Sequence, residues 1–198
     1  MRTAARARGF SLIVAMLMLA VIVIASAAIM RDATSADKIA NNNRLQTQAA
    51  QYAQLALRFC ESQLVLAAPS RSVVQQPAAM PAAWTVQADW ADKGVAHTLL
   101  AAEIGSKVLP RVPPQCLMEA TAVPDTYTVT ARGFSADYKA DARTGATRSG
   151  SAVWLQTTVY AQAAAGSSDA PGVAAPAASA GGLAVRQRVW QQLLTPPF

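Results

Sequence analysis

Two cysteines, Cys60 and Cys116, are the residues here best fitted to a defined chemical step, the oxidation of a thiol pair. An even pair downstream of an apolar, export-type segment points to a disulfide made outside the cytoplasm. The alternative is two buried free thiols. The pair makes no metal motif, because zinc needs more ligands and the only histidine is His97. That lone imidazole reads as a surface or helix-end residue rather than a catalyst. The chain carries no Gly-rich phosphate loop, histidine pair or paired-carboxylate motif, so the residues point to no enzyme, no resident cofactor and no metal. Arg132, Lys139, Arg143 and Arg148 lie close together in sequence. They read as a solvated hairpin; the sharper alternative is a patch for an acidic partner or for DNA. Aromatic residues are not interleaved with them, and no nucleic acid is expected.

The elements that place these groups begin with an apolar helix. Residues 10–30 contain no charge, and that run is long enough to cross a hydrocarbon core about 30 Å thick as a helix. It exceeds the roughly 7–15 apolar residues of an ordinary signal peptide. Arg2, Arg6 and Arg8 precede it and supply three of the formal +6 charges, so the remainder is only mildly basic. Basic residues on that flank stay in the cytoplasm and send the C-terminal bulk across the membrane. Hydrophobic residues make up 53% of the 198 and charged residues 14%, which excludes a disordered chain. Three processing outcomes fit: a cut after Gly9 that keeps the helix, a conventional cut after Ala25-Ser26-Ala27, or an uncleaved anchor.

No Pro or Gly falls between Phe10 and Ala68. From Leu45, the positions Leu45, Ala49, Tyr52, Ala56 and Phe59, with Cys60 beside the last, repeat at helical spacing. Arg44, Gln48, Gln51, Arg58 and Ser62 occupy the other face. The helix is predicted to stop before Pro69, and Asn41-Asn42-Asn43 is its weakest stretch. The chain thus divides into residues 1–9, a membrane segment 10–30, an amphipathic half 31–66, and a head 67–198. Within the head, prolines break up 67–115 into loops around one helix near Ala96–Lys107, with Trp84 and Trp90 as core anchors. Strands are expected at 117–123, 127–134, 152–161 and 184–194. In the last, Val185, Val189 and Leu193 are expected on one face, and Arg186, Arg188 and Trp190 on the other. Residues 163–183 read as a flexible, low-complexity loop whose single acid, Asp169, makes no calcium site. The fold class is α+β: a long helix packed on an antiparallel sheet of about four strands. A Cys60–Cys116 bond would join helix to sheet and close a loop of about 55 residues, a constraint of roughly 4 kcal/mol.

A basic leader ending in Gly9, then Phe10 and an unbroken apolar helix, resembles the class III signal of type IV pilins. Ala49-Ala-Gln-Tyr-Ala-Gln-Leu-Ala-Leu-Arg58, Pro114-Gln-Cys-Leu-Met-Glu119, Tyr127–Phe134 and Ser151–Tyr160 are similar to the helix and strand segments of that family. The resemblance implies cleavage between Gly9 and Phe10 by prepilin peptidase and N-methylation of Phe10. Most pilins carry glutamate at the fifth mature position, where this chain has Val14. In that departure it resembles the PilX-type minor pilins.

The resemblance further implies an inner-membrane protein with one span and a periplasmic head, later placed in the pilus at its tip on the cell surface. Its partners would be other minor pilins, the major pilin, the inner-membrane assembly platform and a large tip adhesin. The implied role is pilus assembly, as an initiating or tip subunit. Val14 and the small residues Ala15, Ala20, Ala25, Ser26, Ala27 and Ala28 would serve helix packing. The competing class is a secreted or periplasmic binding protein freed by a cut after Ala27.

Overall fold

A computed structural model describes residues 7–91, 94–105, 110–141, 147–163 and 182–194. One helix, α1 (Ala7–Val65), opens the chain, and its helical hydrogen bonding runs through Asn41-Asn42-Asn43. Without Pro or Gly to break it, the amide ladder outweighs the weak propensity of three asparagines. The chain forms two compact units, Met1–Asn43 and Arg44–Phe198. The described part of the first is helix alone. From Leu12 to Met30 its large apolar side chains, half-exposed Val14 apart, are exposed, and α1 is long and apolar enough to cross a membrane. Each such side chain left in water forgoes about 1.5–3 kcal/mol, so a row this long is costly to leave exposed to water.

In the second unit, short elements follow the helix end: a 3₁₀ turn at Ala68–Ser70, β1 (Gln75–Gln76), two more 3₁₀ turns at Ala83–Thr85 and Gln87–Trp90, β2 (His97–Thr98) and α2 (Ala101–Ile104). The long strands are β3 (Gln115–Ala120) and β4 (Thr126–Phe134). A small hairpin of β5 (Lys139–Ala140) and β6 (Thr147–Ser149) leads to β7 (Ala152–Ala163) and β8 (Leu183–Leu193). Strands β3, β4, β7 and β8 form the expected antiparallel meander. The sheet is larger and more mixed than expected, with six strands. The free edge of β3 also pairs with β1 in parallel and with β2 antiparallel. Two-residue strands carry too little periodicity to be seen in a sequence.

The expected helix near Ala96–Lys107 shrinks to the single turn of α2; residues 106–109 lie outside those described. Most of the loop expected at 163–183, residues 164–181, also lies outside them, as do residues 1–6 of the leader.

Register sorts the sheet into two faces. Cys116, Ala131 and Leu155 are lateral neighbours on the face toward α1, as are Met118, Val129 and Thr157. They pack with Ala49, Ala53, Ala56, Leu57, Cys60 and Leu64 of the helix. The buried stripe is therefore centred on Ala53, Leu57 and Leu64, about one residue round from the predicted one; Tyr52 and Phe59 are half-buried. Alanines win the central places because the backbones approach closely there. A Cβ on Gly133 would fall 2.2 Å from the Ala53 backbone nitrogen and 2.3 Å from the Ala49 carbonyl oxygen. On the other face, Trp154 and Leu117 pack with Trp90 and Ala83 of the 3₁₀ turns. Trp90 is the anchor predicted, at 2% exposure, whereas Trp84 is half-buried.

Candidate functional site

Cys60 leaves the helix on its sheet-facing stripe and Cys116 stands second in β3, so both sulfurs arrive in the same apolar layer. They are bonded, with Cα atoms 6.2 Å apart and a sequence separation of 56, and both residues are fully buried. The bond closes the loop that holds all three 3₁₀ turns, β1, β2 and α2. At the helix end, Arg71 donates to the Leu64 and Leu66 carbonyl oxygens at 3.1 and 2.9 Å and to Gln75 Oε1 at 2.9 Å. A cation on the last carbonyls satisfies acceptors that the helix leaves open and complements its dipole. Gln63 Oε1 accepts from Ser72 N at 2.8 Å. The segment after α1 is thus tied back to it by charge, amide and sulfur.

The face opposite the helix holds an arginine among aromatic rings. The Arg132 guanidinium lies 5.0 Å from the Trp90 ring and 5.3 Å from those of Phe134 and Trp154. Its Nε donates to Gln115 Oε1 at 2.7 Å and its Nη2 to the Trp90 carbonyl at 2.6 Å. Gln115 and Trp154 are its lateral neighbours in the sheet, so alternation alone delivers this stack. Burial pushes the guanidinium down to about 10, the Tyr138 phenol opposing in part; it stays a cation at neutral pH. Arg132 therefore fastens the 3₁₀ layer to the sheet and is not part of a solvent-facing basic patch. Of the other cations grouped with it, Arg148 pairs with Asp141, Lys139 is exposed on β5, and Arg143 lies outside the described residues.

His97 is neither a free surface group nor at a helix end. It stands in β2, stacked on Phe59 at 5.5 Å, with Nε2 3.0 Å from Glu103. Glu103 also accepts from Leu100 N at 2.7 Å. This pair docks α2 on α1. Among the described residues, no group of three or more His, Cys, Asp or Glu side chains could hold a metal. Glu119 is buried; its Oε1 accepts from Ala83 N at 3.2 Å, and Oε2 has no partner among the described residues.

The predicted processing residues Gly9 and Phe10 lie within α1. Ala20 and Ala25 are exposed and Val14 is half-exposed. These residues and the cysteines belong to different units of the chain. Sequence reasoning missed Gly133, Arg71 and Glu119. Gly133 alone carried a signal, since glycine inside a strand marks a close backbone approach.

No protein-family model, no curated protein and no solved structure matches this chain.

Proposed function

We propose that this chain is a minor subunit of a type IV pilus, an assembly protein and not an enzyme. The observation that carries the reading is α1 itself: its uncharged, solvent-exposed stretch Leu12–Met30 belongs to the same helix as the stripe bonded to the sheet through Cys60. A helix that serves both as membrane segment and as spine of a folded unit suits a subunit that must leave the bilayer and pack into a filament. On this reading prepilin peptidase cuts between Gly9 and Phe10, Phe10 is N-methylated, and the chain waits in the inner membrane with its head in the periplasm. It then associates with other minor pilins, the assembly platform and the major pilin, and a large adhesin docks on the head.

Val14 stands where other pilins place glutamate. An ionised side chain inside a bilayer is costly and kept only for function. In the family that carboxylate meets the positive N-terminus of a neighbouring subunit. A subunit without it fits the first place in the filament, where that contact is absent. Deleting the chain should sharply reduce piliation, and an epitope-tagged copy should label filament ends at low abundance. Labelling all along the filament at amounts near the major subunit's would contradict the tip placement. Unchanged piliation would contradict the assembly role.

A further inference from the structure

The outer strand β8 has one open edge among the described residues, because it pairs only with β7. Beyond the bulge at Arg186 it runs regularly from Gln187 to Leu193, with no proline to block a further strand. Edges of this kind are normally guarded by prolines, bulges, charged side chains or short length; beyond its bulge β8 carries only Arg188 as such a guard, and that cation is paired with Glu61. The bulge has a second effect. It brings Val185 onto the helix-facing side together with Arg188 and Trp190, while Val189 and Leu193 face the other way.

The helix covers β4, β7 and the start of β8, where Leu183 and Val185 pack against the core, while Arg188 and Trp190 further along the same face are exposed. A groove of about 350 Å³ runs there, lined by Leu57, Arg58, Glu61, Thr157, Arg188 and Trp190 among others. Trp190 is 66% exposed along it. The Thr157 hydroxyl oxygen is fully buried and has no partner among the described residues. Glu61, the one carboxylate lining the groove among the described residues, is already held by Arg188 at 3.2 Å. Arg58 and Arg186, both exposed, are left to set the sign of the edge.

We infer that β8 is a docking edge for an extended, acidic segment of another protein, which adds as a strand along Gln187–Leu193. Its alternate side chains would place an apolar or aromatic group against Trp190 and carboxylates toward Arg58 and Arg186. Main-chain hydrogen bonds supply affinity in strand addition, and pockets for alternate side chains supply choice. Charge selects against a second copy of this chain, which is itself basic and would bring arginines to the same edge. The inference rests on the Arg44–Phe198 unit alone and stands apart from how the N-terminus is processed.

The test uses the full chain in detergent and a labelled synthetic peptide of about ten residues, alternating valine and glutamate around a central phenylalanine. Anisotropy should show saturable binding, at least about tenfold weaker for the counterpart with lysine for glutamate and for Trp190→Ala. Because Trp190 is exposed, that variant should fold normally. Hydrogen exchange should show new protection in Gln187–Leu193 and in no other strand. Three results would overturn the inference: no saturable binding, equal binding of the acidic and lysine peptides, or protection elsewhere. So would a peptide-free dimer that Trp190→Ala dissociates, since the edge would then belong to a second copy.

Discussion

Gly133→Ala should be among the most damaging single-methyl changes in the protein, and its sign separates two accounts of the residue. The backbone of Gly133 does not lie in the left-handed region, so alanine can adopt it. On backbone entropy alone, replacing glycine inside a strand should stabilise by about 0.5–1 kcal/mol. Packing predicts the reverse. The new methyl would stand 2.2 Å from the Ala53 nitrogen and 2.3 Å from the Ala49 carbonyl oxygen, both backbone atoms that no rotamer change can move. To reach an ordinary contact of 3.4 Å, helix and strand must separate by about 1.2 Å. That opens the layer around Ala49, Ala53 and Ala56, all fully buried. Overpacking alone costs roughly 1–3 kcal/mol, and the loosened contacts add to it. The net expectation is about 3 kcal/mol, or about 10 °C in Tm for a unit of this size. Urea unfolding of the full chain in detergent, followed through the buried tryptophans, measures it. A variant as stable as the parent, or more so, would refute the close-approach account.

Three further expectations concern the ties around the sheet. Cys60→Ser with Cys116→Ser should lower stability by about 4 kcal/mol, and reduction of the parent should match it, because the closed loop is the same; denaturant midpoints with and without reductant check this. Arg132→Lys should cost about 1–2 kcal/mol, since an ammonium cannot reach both Gln115 and the Trp90 carbonyl while lying flat among three rings; the same unfolding assay, with near-UV circular dichroism of the tryptophans, reads it. Arg71→Ala should cost about 1–2 kcal/mol through the lost helix-end bonds, with hydrogen exchange rising first at the C-terminal turn of α1.

Sequence legibility tracked the range of the interactions involved. The long helix and the four main strands could be read because periodicities of 3.6 and 2 report one element meeting one core. The faces of β4 and β7 follow Tyr127, Val129, Ala131 and Val153, Leu155, Val159 as alternation requires. The faces of β8 do not, because one extra residue at Arg186 reverses everything before it, and a bulge leaves no local mark in Ala184-Val-Arg-Gln-Arg188. The stripe on α1 was displaced for a different reason. Large residues such as Tyr52 and Phe59 look like core on a hydrophobicity scale, yet the closest approach accepts only alanine against Gly133. His97 and Arg132 acquire their surroundings from Phe59, Glu103, Trp90 and Trp154, which lie 6 to 42 positions away. No local pattern reports contacts of that range. Cys60 and Cys116 are the exception, because few residues of that type compete for the same partner.

The pilus reading turns on where the mature chain begins. N-terminal sequencing with intact mass of the protein from a membrane fraction decides it. A pilus subunit should start at N-methylated Phe10, with the apolar helix retained. A start at Ala28 would mean an exported soluble unit, and the pilus assignment would fall with it.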